Sequence, residues 1–120
     1  MISKKEVGNY GEDLAVKFLI EKGYKIISKN FYIRGGEIDI IAKDKNEYVF
    51  VEVKTRTSRF FGEVSDQVSS RQQKKLAHSA EVFLHQNNLT DSNWRIDVIA
   101  ILMNNQKLQI KHVKHAITHF

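Results

Sequence analysis

Apolar residues recur at helical spacing from Val7 through Tyr10, Leu14, Ala15 and Phe18 to Leu19, until Gly23 interrupts them. Ser3, followed three residues later by Glu6, forms a capping-box signature ahead of that run, so a first helix is predicted there. The next stretch, "YKIISKNFYI", is rich in β-branched and aromatic residues and reads as a strand. Gly35 and Gly36 then supply the positive φ angles that a turn needs. Residues 35–56, "GGEIDIIAKDKNEYVFVEVKTR", read as the two strands of a hairpin.

A polar segment with two phenylalanines, "TSRFFGEVSDQ", leads to a second helix with the apolar stripe Leu76, Ala77, Ala80, Phe83 and Leu84. "WRIDVIAILM" is apolar on both faces beyond Asp97, the pattern of a strand covered on both sides. "NNQK" turns it into "LQIKHV", a predicted edge strand. The order is helix, three strands, helix, two strands. It predicts an α/β fold with a mixed central β-sheet flanked by helices. No repeat and no proline-marked linker divides the chain, so residues 1–120 are expected to form one domain.

A length of 120 residues suffices for one buried core, and a hydrophobic fraction of 42% supports a folded domain. The net charge of +5 comes from 19 Lys and Arg distributed along the whole chain. That balance favours an anionic partner, most simply nucleic acid, with DNA the first expectation. The N-terminus lacks the uninterrupted apolar core of a signal peptide, and the longest apolar run, "VIAILM", is too short to span a bilayer. With no cysteine there is neither a disulfide framework nor a zinc finger. A cytoplasmic protein without a membrane partner is the expectation.

The hairpin carries charges at alternate positions of otherwise apolar strands. A turn centred on Lys45 and Asn46 gives antiparallel partners whose numbers sum to 91, setting Asp39 opposite Glu52 and Glu37 opposite Lys54. The same register gathers Ile38, Ile40, Ala42, Val49, Val51 and Val53 on the reverse face as core. Opposed carboxylates repel, which costs stability or raises one pKa unless a cation lies between them. Mg²⁺ or Mn²⁺ would remove that cost, because both favour hard oxygen ligands. Lys54, two residues from Glu52 on one face, is placed to orient water or to neutralise charge on a phosphate oxygen. The other reading of the same residues is a solvated strand face on which Lys54 pairs with Glu37.

"GGEIDIIA" followed by "FVEVKTR" resembles the PD-(D/E)xK nuclease superfamily. The opening "GNYGEDLAVKFLIEKGYKIISKNFYIRGGEIDII" looks like the bacterial YraN-like group within it, which is similar to archaeal Holliday junction resolvases. The resemblance runs from about Gly8 to Ile101. It implies a restriction-endonuclease-like fold, Asp39 and Glu52 as metal ligands, Lys54 as the catalytic lysine, and Glu12 as an accessory acid. The sequence departs from the pattern at Val64, where proline is expected, and at Gln72, where a lysine is expected near the start of the second helix. Arg71, Gln73 and Lys74 are candidates to substitute for that lysine, since a phosphate contact accepts different donors.

The expected function is metal-dependent hydrolysis of phosphodiester bonds in DNA, including branched or junction DNA. Arg56, Arg59, Arg71, Lys74 and Lys75 are the expected phosphate contacts. Phe60 and Phe61 either stack on an unpaired base or fold back over the core. Glu37, Gln73 and Asp97 are expected to support the site from behind, with an ordinary Arg95–Asp97 ion pair the alternative for Asp97. The competing function is a catalytically weak or inactive nucleic-acid-binding domain on the same fold. His112, His115 and His119 lie in a C-terminal stretch expected to be a solvated tail rather than a metal centre. Symmetric cleavage of a junction would require two active sites and hence a homodimer.

Overall fold

Ser3 caps the first helix as its sequence predicts. Its hydroxyl accepts from the Glu6 amide at 3.1 Å, and the Glu6 carboxylate accepts from the Ser3 amide at 3.4 Å. In this computed structural model, which describes residues 3–57, 68–104 and 107–117, that helix is α1, Lys4–Glu21. Three strands follow, β1 (Lys25–Ile33), β2 (Gly36–Asp44) and β3 (Glu47–Arg56), and then α2 (Ser70–Gln86), β4 (Asn93–Asn104) and β5 (Lys107–Ile117).

The five strands form one sheet in the order β1-β2-β3-β4-β5. β3 and β4 run parallel, joined across α2, and the other three pairs are antiparallel. A parallel pair needs a crossover connection, which is why the helix falls between these two strands in sequence. The predicted mixed α/β sheet with its flanking helices is therefore what the chain forms.

Both faces of the sheet are covered. On one side Ala15 and Leu19 of α1 pack with Ile40, Ala42, Val49, Val51, Ile99 and Ile101. On the other, Leu76, Ala77, Ala80, Phe83 and Leu84 of α2 pack with Ile41, Phe50, Ile96, Val98 and Ala100. The stripe of α1 is centred on Gly11, Ala15 and Leu19, and Tyr10, expected within it, is 53% exposed. Gly11 explains the rotation. A Cβ there would lie 2.0 Å from Thr55 Oγ1, so only a bare backbone lets α1 come so close to β3.

The β2–β3 hairpin turns at Lys45 and Asn46 in the predicted register, from Asp44 opposite Glu47 to Ile40 opposite Val51. Lys45 takes a left-handed φ of 56° in that turn. Beyond Ile40 and Val51 the paired ladder ends, and the Asp39 carboxylate takes the place of a main-chain acceptor by receiving the Val53 amide at 2.8 Å. This corrects two expectations. Ile38 joins the α2-side core rather than the face of Ile40 and Ala42, because strict alternation fails where β2 leaves its partner. The charged face, too, is no solvated surface: its upper part is apolar core beneath α2.

The C-terminal histidines also depart from expectation. Residues 107–117 form the edge strand β5, and His112 is buried, with a side chain 3% exposed. Its Nε2 lies 2.8 Å from an oxygen of the fully buried Asp97, and its Nδ1 lies 2.9 Å from Lys22 Nζ. Asp97 also accepts from Arg95 Nε at 3.0 Å and from the His115 amide at 3.1 Å. Burial alone would raise the Asp97 pKa, but the hydrogen bonds from His112, Arg95 and the His115 amide outweigh it and hold the group below its ordinary value. Arg95 reaches on to Tyr24, Asp44 and Glu47. The network pins β5 and the closed end of the β2–β3 hairpin to α1. His119 lies outside the described residues.

Candidate active site

Where β2 and β3 part, a cleft of about 870 Å³ opens between α1 and the first turn of α2. Asp39 and Glu52 project into it from the two strands, each 7% exposed. Lys54 Nζ stands 3.9 Å from Glu52 Oε2. The Glu52 carboxyl is pushed far above its ordinary value, first by burial and then by its hydrogen bond with Asp39 and that group's charge, while Lys54 opposes the shift. Glu52 is therefore harder to ionise than an ordinary glutamate in the metal-free chain.

Glu12 reaches the same cleft from α1. Its pKa is raised from 4.5 to about 7, mainly by burial and next by Asp39. Glu37, at the rim, is raised by the same two causes. Glu12, Glu37, Asp39 and Glu52 therefore line one cleft, with Lys54 beside Glu52.

Gln72, on the first turn of α2, joins the two halves of the site. Its amide nitrogen donates to Glu52, and its amide oxygen accepts from Lys54 Nζ at 3.1 Å. Only a side chain with both a donor and an acceptor can do this, so a lysine at 72 could not reproduce the bridge. Ser69 sets its position by capping α2, accepting the Gln72 amide at 3.1 Å. The positive end of the α2 dipole consequently faces the acids. The sequence marks Gln72 only as a departure from pattern; the signal that could have found its role is the Ser69-x-x-Gln72 capping spacing.

The other predicted residues divide. Arg71 and Lys75 line the cleft, whereas Lys74 is exposed and faces away from it. Arg56 is exposed, donates to the Thr55 carbonyl at 3.0 Å, and borders an adjoining hollow of about 740 Å³ that shares Glu12 and Lys54 with the cleft. Gln73 does not support the acids: its amide donates to the Val68 carbonyl at 2.9 Å, tying down the entry to α2. Asp97 does not brace them either, because its partners are those of the buried Arg95–His112 network at the far end of the hairpin. Arg59, Phe60, Phe61, Gly62 and Val64 lie outside the described residues. Tyr32 lines the cleft and had no sequence signal.

The residues present fit a hard divalent cation. Asp39 and Glu52 are acceptors once ionised and are already oriented by the Val53 amide and Gln72, and a cation would offset the burial that makes Glu52 hard to ionise. Among the described residues no histidine borders the cleft, and the chain has no cysteine, so the donor set suits Mg²⁺ or Mn²⁺ rather than a softer metal. Among the described residues no group of three or more His, Asp or Glu side chains is placed to hold a metal ion, so a cation here would rest on two carboxylates. Mg²⁺ commonly takes one or two carboxylates and keeps several waters.

Fold and site together define a one-sheet α/β protein with a buried acidic pair and a lysine at a strand parting. The chain belongs to the family described as "Uncharacterised protein family UPF0102", whose model matches residues 11–101. It is 44% identical over 119 residues to a UPF0102 protein of Caldanaerobacter subterraneus subsp. tengcongensis, covering 99% of this chain and 98% of that one. A UPF0102 protein of Caldicellulosiruptor saccharolyticus is 43% identical over 117 residues, covering 96% and 99% of the two chains. One from Geobacter metallireducens is 43% identical over 115 residues, covering 96% and 94%. Among the described residues no helix is long and apolar enough to cross a membrane.

Proposed function

We propose that this protein is a metal-dependent endonuclease of the PD-(D/E)xK kind, with a restriction-endonuclease-like fold, hydrolysing phosphodiester bonds of DNA and acting on branched or junction DNA. The observation that carries the reading is the meeting of Asp39 and Glu52 at the strand parting, with Lys54 3.9 Å from Glu52. A structural ion pair needs one acid and one base. Here two buried acids face each other beside a single lysine, at a cost to stability that a bound cation removes.

When bound, Mg²⁺ or Mn²⁺ supplies Lewis-acid polarisation of the phosphate and acidifies water. Asp39 and Glu52 would hold the ion, Asp39 staying oriented through the Val53 amide. Lys54, steered by the Gln72 carbonyl, presents its ammonium to the negative charge that grows on the phosphate oxygens. Glu12, with its pKa near 7, is able to accept or return a proton at neutral pH. Arg71 and Lys75 on the α2 wall, with Arg56 at the adjoining hollow, grip backbone phosphates without reading sequence. The overall charge of +5 helps draw DNA toward an otherwise acidic centre.

The test is cleavage of labelled four-way junction, flap, single-stranded and duplex DNA with Mg²⁺ or Mn²⁺, run beside Asp39→Ala and Lys54→Ala. Cutting by the wild type that both variants lose supports the nuclease. Salt-dependent binding with no cutting under either metal would instead make the chain a nucleic-acid-binding domain.

A further inference from the structure

We infer that Tyr32 and the open ground beside Gly35 form a stacking subsite for one unpaired base next to the attacked phosphate. The inference deepens the nuclease reading and rests on it for the position of that phosphate. It names a substrate class: strands carrying an unpaired base, in preference to continuous duplex.

Tyr32 sits near the end of β1, directly opposite Glu37 in the β1–β2 ladder, and lines the same cleft as Asp39, Glu52 and Lys54. Its ring is 69% exposed, the highest value among the exposed large hydrophobic residues described. The strand itself directs it outward. Its neighbour Phe31 turns the other way, packing against the α2-side core with its ring edge-to-face on Phe83 at 5.4 Å, and alternation leaves Tyr32 facing away from that core.

Three further features make the ring usable. Among the described residues β1 is the edge of the sheet, with no further strand beyond it. Gly35, which lines the same cleft, takes a φ of 84°, and a Cβ built there would meet nothing within 4 Å, so the cleft wall is open at that point. Arg71 and Lys75 line the same cleft from α2, supplying cations for the flanking backbone. Bases within a duplex already stack on both faces, so only an unpaired base has a face to offer Tyr32. Stacking of this kind tolerates any base, in keeping with a grip made of backbone contacts.

The test uses the full chain in EDTA, where no cutting occurs, with oligonucleotides bearing 2-aminopurine at an unpaired position or inside a duplex. Wild type and Tyr32→Phe should quench the unpaired probe, and Tyr32→Ala should lose that quenching. Tyr32→Ala should also narrow the preference for unpaired over duplex DNA by about tenfold. Tyr32 is exposed, so both variants should fold, and their circular dichroism melts are recorded alongside. Undiminished quenching by Tyr32→Ala, or an equal loss of affinity for both DNAs, overturns the subsite. If quenching depends on Tyr32 but the wild type cuts nothing with Mg²⁺ or Mn²⁺, the subsite stands as a base-binding site and the nuclease reading falls. If cutting depends on Asp39 but neither cutting nor quenching depends on Tyr32, the subsite alone falls.

Discussion

Replacing Glu52 with glutamine should stabilise the metal-free protein, and increasingly so as pH rises. Glu52 is 7% exposed and its carboxyl is held far above 4.5 by burial and by Asp39. For an acid raised on folding, the stability tied to its proton is fully present below the unfolded pKa, near 4.5, and is lost as pH climbs through the folded value. Glutamine has the same shape, keeps an oxygen for the Gln72 amide, and offers Asp39 an N–H donor without a group that ionises. Each tenfold change in acid strength is worth about 1.4 kcal/mol, so Glu52→Gln should gain at least about 1.4 kcal/mol at pH 8 relative to pH 5. For a domain of this size that is a rise in Tm of about 5 °C. Thermal melts in EDTA at the two pH values measure it. In the same melts, Mg²⁺ at ten times its Kd should stabilise wild type by about 1.4 kcal/mol and the variant far less. An equal Tm difference between variant and wild type at pH 5 and pH 8 would refute the argument, because it would mean that Glu52 does not hold its proton through its neighbours.

Two further outcomes are expected. Gln72→Lys breaks the bridge to Lys54 but adds a cation to the cleft wall, so DNA binding should tighten and the slope of log K against log salt should steepen by about 0.9; an unchanged slope would show that position 72 does not face the phosphates. Gly11→Ala forces a methyl group onto Thr55, which should cost about 1–3 kcal/mol and move Glu12 with α1, read by denaturant unfolding and by any DNA cutting; an unchanged midpoint would refute the close approach.

The local grammar of the fold was legible in the sequence because each rule involved residues a few positions apart. Ser3 and Glu6 announced α1, Gly35 the turn before β2, and the apolar stripe of Leu76 to Leu84 the face of α2. The Lys45–Asn46 turn set the hairpin register from Asp44–Glu47 to Ile40–Val51, but the expected pairs Asp39–Glu52 and Glu37–Lys54 lie beyond the end of that ladder, and both acids of the first pair meet in the cleft instead. Where the sequence-based reading failed, residues distant along the chain decided the outcome. Tyr10 left the expected stripe because Thr55, far along the sequence, lies against Gly11. His112, expected in a polar tail, is buried because Asp97, 15 residues earlier, lies 2.8 Å from its Nε2.

Periodicity and turn chemistry act over short separations, so the chain's local patterns were enough to give the elements, their order, the mixed sheet and the acids and lysine to look at on β2 and β3. Folding in three dimensions set the rest: β2 and β3 part beyond Ile40, Gln72 bridges Glu52 and Lys54, Gln73 and Asp97 serve other networks, and Tyr32 stands open beside the cleft. Those outcomes depend on where α1, α2 and β1 come to rest against the sheet, and that is set by the packing of two cores rather than by any local pattern.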